Sequence, residues 1–301
     1  MTKFTATAAA MAVSLAAPMA VAPASAQNTM EDVEIRTEQI APGVAVLFGR
    51  GGNIAVGYGE DATVMIDDQF APLSAKIEAA VAALGAKPVK YVVNTHWHFD
   101  HTGGNENYGK TGATIFAHDN VRVRMASGGS IFGNTIAPSP KVALPVVTFE
   151  QGLRFHLNGD TINLMYLGGG HTDGDAVIIW DEKNIVHMGD LYFNNSGYPF
   201  IDTDSGGDVF NAMRSLDLVI AMIDDDTKVI PGHGPMSNKS ELVAYRAMIG
   251  EAASLVQALH KEGLTLEQAI AAKPLANFNR NGGGFITPDA FVTAIWTSIE
   301  S

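Results

Sequence analysis

Between Thr95 and Asn105 the chain reads THWHFDHTGGN, which sets three histidines and one aspartate within the six positions from His96 to His101. Burying such groups without partners costs several kcal/mol, so packing alone does not account for their density. A fold that contains this segment has to bring its donors to a shared cation, and four possible ligands in so short a run mark a metal site. The preceding residues, KPVKYVVNTH, read as a β-branched strand that delivers the chain directly to His96. Strand ends are where α/β folds keep their chemistry. In an extended segment, side chains two apart share a side. His96 and His98 therefore face one metal, Trp97 turns away, and Asp100 repeats the first direction. His101 follows at once, and Gly103 and Gly104 let the backbone pack close to the site.

The rest of the chain brings further donors to strand ends. GVAVLFG, NIAVGYG and ATVMIDD read as strands of a meander, and Leu73 to Gly85 has helical spacing with a closing glycine. LRFHLNG and TINLMYL lead to Gly168, Gly169, Gly170 and then His171. DAVIIWD and IVHMGD form a hairpin ending at Asp190. A helix is expected over Val209 to Met222, and TKVIPGHGP carries a strand to His233. The segments IAVGYGEDATVMIDDQF and AVIIWDEKNIVHMGDLYF share an outline of strand, acidic turn, strand, aspartate and aromatic. That outline describes two sheet-plus-helix halves packed face to face with helices outside, an α/β architecture. His118, His156, His187 and His260 lie in plain strand or helix patterns and read as structural.

Composition narrows the function. Cysteine is absent, which excludes a thiol nucleophile and leaves only nitrogen and oxygen to bind metal. The formal charge is −13 with no basic cluster, a surface that repels phosphate backbones and anionic lipid. Residues 1–26 carry one basic residue, Lys3, an Ala-rich apolar stretch broken by Ser14, Pro18 and Pro23, and the ending Ala24-Ser25-Ala26. This has the form of a secretory signal peptide. A periplasmic or secreted protein is expected, with residues 27–301 as one domain.

HxHxDH after a strand, then a distant Gly-His, then Gly-Asp, then Pro-Gly-His-Gly, resembles the ordered signature of the metallo-β-lactamase superfamily, spanning about Ile54 to His233. The resemblance implies an αββα sandwich, two mixed sheets with helices outside, and a two-zinc site at the shared sheet edge. It implies that His96, His98 and His171 bind one zinc, and that Asp100, His101 and His233 bind the other. Asp190 bridges the pair or serves the second zinc. Asp67 matches the family's first acidic position and implies a partner that orients a ligand histidine; the bland alternative is a turn aspartate beside Asp68. The resemblance further implies hydrolysis in which such metals would activate a water toward a carbonyl, with Asp100 orienting that water and passing its proton on.

The substrate is less legible. Lactamases with a cysteine zinc ligand place it where Asp190 stands, with a lysine three residues later; here that position is Phe193. Asp190 resembles instead the bridging residue of glyoxalase II and lactonases, yet GDLYFNNSGYPFID lacks the Gly-Cys-Gly-Arg of glyoxalase II. The expectation is an exported dinuclear zinc hydrolase acting on β-lactam amides or similar cyclic amide and ester bonds of small molecules. The alternatives are a lactonase or thioesterase with little lactamase activity, and a zinc-binding protein without turnover. Ala126 to Pro145 is either a hinged lid or a passive surface loop, and Asn194 and Asn195 either reach a substrate carbonyl or cap a turn. Phe278, Phe285, Phe291 and Trp296 read as core or a subunit contact.

Overall fold

The computed structural model describes residues 30–131, 133–195, 197–278 and 285–301; the expected signal segment at residues 1–26 lies outside them. Apolar runs bounded by turns become strands. First come β1 (Arg36–Ala41), β2 (Val44–Phe48), β3 (Ile54–Gly57) and β4 (Thr63–Ile66), an antiparallel meander. Helix α1 (Ser74–Ala83) carries the chain across to β5 (Val89–Val93), which pairs parallel with β4. Short helices α2 (Phe99–Thr102) and α3 (Asn105–Lys110) precede β6 (Thr114–His118), parallel to β5. Helix α4 (Asp119–Ser127) leads to a separate hairpin, β7 (Gly129–Ile131) and β8 (Asn134–Ile136), and then to β9 (Val147–Phe149), the last strand of a seven-stranded sheet.

The second sheet has six strands. Its antiparallel part is β10 (Gly152–Leu157), β11 (Asp160–Tyr166), β12 (Ala176–Trp180) and β13 (Ile185–His187). Helix α5 (Val209–Met222) crosses to β14 (Lys228–Ile230), parallel to β13, and β15 (Ser237–Asn238) pairs beside it. Helices α6 (Lys239–Lys261), α7 (Leu266–Ala271) and α8 (Pro288–Glu300) follow. Asp208 caps α5 by accepting from Asn211 N at 2.8 Å, and Thr265 with Gln268 forms the capping box that their spacing predicts on α7.

Strand alternation decides which side chain enters which layer. Val44, Val46, Val64 and Ile66 point inward and meet Leu164, Ile178 and Trp180 of the other sheet. The opposite face of the first sheet, through Leu47, Val56 and Met65, packs on Ile77 and Val81 of α1. Val177, Val186 and Val229 of the second sheet pack on α5, α6 and α8 through Leu216, Ile249 and Ile295. Each such fully buried aliphatic contributes roughly 1.5–3 kcal/mol relative to exposure. The result is the expected αββα sandwich.

The two halves also share a topology. A hairpin (β3–β4), a crossing helix (α1) and a parallel return strand (β5) recur as β12–β13, α5 and β14. Both parallel pairs end at the same edge of the sandwich, where the sequence has Asp67, His96, Asp190 and His233. Among the described residues no helix is long and apolar enough to cross a membrane.

Candidate metal centre

All seven expected donors meet at that edge. Ligand atoms of His96, His98, His171 and Asp190 lie within 4.8 Å of one another, and so do those of Asp100, His101 and His233. Asp190 joins the two groups: its Oδ2 is 3.6 Å from His171 Nε2 and 3.4 Å from His233 Nε2, while its Oδ1 is 3.2 Å from His101 Nε2. Asp190 thus lies against histidines of both groups.

The local backbone differs from expectation at one point. An extended run was expected through Asp100, but the chain turns into α2 at Phe99, directly after His98. Thr102 Oγ1 donates to His98 O at 3.1 Å and His101 N donates to the same oxygen at 3.0 Å. These bonds reward a helical turn over continued extension. The turn separates Asp100 and His101 from the side shared by His96 and His98, so one short segment supplies both donor groups.

Outer partners fix the ring orientations. His96 Nδ1 lies 3.0 Å from Thr95 Oγ1, which itself donates to Asp67 Oδ2 at 2.8 Å. His101 Nδ1 faces Asp67 Oδ2 at 2.7 Å, His171 Nδ1 faces Phe200 O at 2.7 Å, and His98 Nε2 faces Asp202 Oδ2 at 2.8 Å. Each outer nitrogen therefore carries the proton, an assignment that follows from the hydrogen-bond network. On His96, His98 and His171 the inner nitrogen is left as a lone pair. His98 Nδ1 and His171 Nε2 then confront one another at 2.9 Å as two acceptors, and His96 Nε2 and Asp190 Oδ1, both buried, have no hydrogen-bond partner. Converging lone pairs and carboxylates with orphaned buried atoms fit a bound cation and little else.

Electrostatics carry the same message. Burial pushes His96 well below the usual imidazole range, and it brings His171 down to about 4, with the charge of His98 adding to the effect. For His101 burial opposes protonation, but Asp190, Asp100 and Asp67 outweigh it and hold the ring well above its ordinary value. His233 is raised to about 9, against burial, by Asp190 and Asp100. Asp190 stays well below the carboxylate range despite its burial, because His233 and His101 face it.

Asp67 is no surface turn residue. It is fully buried, and besides Thr95 Oγ1 and His101 it accepts from Thr95 N at 2.7 Å. Asn194 braces the loop that carries His233: its amide donates to Pro235 O at 3.1 Å and its backbone N to His233 O at 2.9 Å. Asn195 Oδ1 caps a turn by accepting from Gly197 N at 2.8 Å. Ala126 to Pro145 is no plain loop, since it contains β7 and β8, and Ile131 at the end of β7 reaches the cleft above the donors. His187 is structural as expected, with Nε2 on Asn53 O at 3.0 Å.

Other contributors carried no signal in the sequence. Asp202 and Ser205 sit in a loop without periodicity, and Asp202 meets His98 across 104 residues of chain. Asn53 ties the His233 loop down by donating to Pro231 O at 2.9 Å and Gly234 O at 2.8 Å. Phe200 acts through its backbone oxygen, which any residue type supplies. Phe193 lies buried and stacked on His233, with ring centroids 5.5 Å apart and planes 4° from parallel.

Comparison with known proteins agrees with this architecture. Residues 48–233 match the sequence model of the family described as the Metallo-beta-lactamase superfamily. The chain is 27% identical over 169 residues to a metallo-beta-lactamase type 2 of Bacteroides fragilis, covering 56% of this chain and 61% of that protein. It is 29% identical over 178 residues to a hydroxyacylglutathione hydrolase of Polaromonas, covering 58% and 60% respectively. The chain thus matches about three-fifths of the length of these two relatives. The solved metallo-beta-lactamase from Pontibacter korlensis superposes with a TM-score of 0.61 at 19% identity, covering 72% of this chain and 99% of that one. At that identity the likeness is one of fold.

Proposed function

The chain belongs to the metallo-beta-lactamase superfamily, and from that premise we propose that it is an exported, zinc-dependent hydrolase that opens the carbonyl of a small ester, thioester or cyclic amide. One observation supports the reading above all: seven donors from both sheets turn lone pairs and carboxylates on one another, with His96 Nε2 and Asp190 Oδ1 orphaned among them. Three imidazoles, His96, His98 and His171, suit one zinc; Asp100, His101 and His233 suit a second, with Asp190 between. Divalent ions held by these residues would supply an activated water near neutral pH and a Lewis acid for the carbonyl.

The chain's own groups do the rest. Thr95, Asp67, Asp202 and the Phe200 carbonyl hold four imidazoles so that their lone pairs point inward. Asp100, with 22% of its side chain exposed, is the carboxylate that opens most to the cleft. It orients the attacking water and passes a proton to the departing atom. Between a β-lactamase and a lactonase or thioesterase, Phe193 favours the latter: it occupies the position expected of a carboxylate-binding lysine and is buried against His233.

Metal content and turnover test the proposal together. Two zinc ions per chain are expected, with kcat/KM for an acyl-homoserine lactone or a thioester above that for a penicillin or a carbapenem. Two ions with no turnover on any of these point to a zinc-binding protein without activity. Because Asp190 reaches both donor groups, Asp190→Ala lowers occupancy of both positions; unchanged zinc content removes the assignment.

A further inference from the structure

The donor cluster opens into a cleft of about 130 Å³ whose walls are Phe70, Phe99, Ile131, Phe200 and Phe285. Phe70 and Phe99 pair on one side, with ring centroids 5.9 Å apart, and Phe200 and Phe285 pair on the other at 5.9 Å. Phe99 is 47% exposed and Phe285 62% exposed. Large apolar rings held in water around a set of buried donors are a binding surface more than a core. Phe200 also stacks on His98 at 5.5 Å, so the apolar wall is continuous with the donor cluster.

Among the described residues the cleft wall carries no lysine or arginine, and its charged groups are the donors themselves. Arg124, a cation close enough to Asp202 to feel its field, is held in a bidentate pair by Asp173 at 2.7 Å on both arms. Phe193 is buried and stacked on His233 and brings no charge to the site. A substrate bearing an anionic group beside the scissile bond finds no partner on these walls, whereas an uncharged apolar group finds two pairs of rings.

We infer that the substrate carries an uncharged apolar acyl group, seated between the Phe70–Phe99 and Phe200–Phe285 pairs while its carbonyl lies over the donors. This rests on the hydrolase reading and narrows it to neutral acyl esters, thioesters or lactones with an apolar acyl arm. Selectivity then comes from the acyl arm, not from recognition of a carboxylate. Each methylene seated on the rings is worth about a three- to fourfold gain.

The test uses the full-length, zinc-loaded protein with p-nitrophenyl esters that share one leaving group: acetate, hexanoate and the anionic hemisuccinate. The hexanoate is expected to exceed the acetate in kcat/KM by about tenfold or more, and the hemisuccinate to fall at or below the acetate. Phe99→Ala and Phe285→Ala each reduce the hexanoate-to-acetate ratio severalfold. Binding supplies a second readout independent of turnover: hexanamide raises Tm more than succinamate does in the unaltered protein, and the difference shrinks in Phe99→Ala. A ratio near one, a preferred hemisuccinate, or stronger stabilisation by succinamate overturns the inference. Failure to hydrolyse any ester while hexanamide still binds selectively overturns the hydrolase reading and leaves the apolar site standing.

Discussion

Asp67 holds a left-handed backbone, with φ at 63°, a conformation that costs a residue with a Cβ roughly 1 kcal/mol. Three hydrogen bonds, from Thr95 N, Thr95 Oγ1 and His101 Nδ1, keep it there. The carboxylate thus ties the end of β5 to one donor of each set. Asp67→Asn keeps the volume but replaces one accepting oxygen with an amide that donates. It is expected to lower metal affinity by about ten- to a hundredfold, measured by competition with a chromogenic chelator; unchanged affinity refutes the orienting role. The seven donors were legible from the sequence because they cluster or follow strands next to glycine. Asp202 was not, since an isolated loop aspartate looks the same whether it meets an imidazole or water. Asp67 was half legible: its position after ATVMI was visible, but burial is a property of the fold.

At the scale of elements, the loops behind the donors are as tightly fitted as the core. A Cβ on Gly52 would lie 2.1 Å from His101 Cε1, and one on Gly232 would lie 2.0 Å from Asp190 Oδ1. The sequence shows GRGGN as a short connection; only the structure shows it packed beneath α2, with Gly52 N donating to Asp100 O at 3.1 Å. Gly232→Ala is expected to weaken metal binding at least about tenfold with secondary structure intact, by analogy with disturbed supporting contacts; metal titration and circular dichroism check it. The start of α4 offers a pH test. His118 accepts from Asn120 N through Nδ1 at 3.2 Å and faces Glu150 O through Nε2 at 3.0 Å. Burial holds its pKa below the ordinary 6.5, partly offset by the Glu150 carbonyl, Asp119, Asp173 and the Glu150 carboxylate. The unfolded chain therefore takes up the proton first. The stability this provides is complete above 6.5 and declines as pH falls through that value towards the depressed folded one. His118→Asn keeps a capping acceptor without titrating, so its Tm should fall less than that of the unaltered protein between about pH 7.5 and 5.5. Equal falls remove His118 from the account.

For the whole molecule, the αββα sandwich was legible because the strands are short, apolar and separated by turns, and because helical stretches fall where crossings are needed. The strands β1, β9 and β15 and the hairpin of β7 and β8 were not, because their pairing depends on neighbours brought in by the fold; β1 alternates with little burial. The seven donors converge only when the two sheets are packed together, so metal binds the folded chain with little competition from the unfolded one. Saturating zinc at about a hundred times its Kd should add roughly 2.7 kcal/mol. Chelation is expected to lower Tm by several degrees and restored zinc to recover it; a Tm indifferent to zinc rejects the site.

The donors arrive from both layers: four from the segment after β5, and His171, Asp190 and His233 from the second sheet. Metal held at this edge would act as a rivet through the sandwich. Prising the layers apart and releasing the ions become one event, so the pace of metal escape into excess chelator should follow the slowest amide exchange of the inner strands.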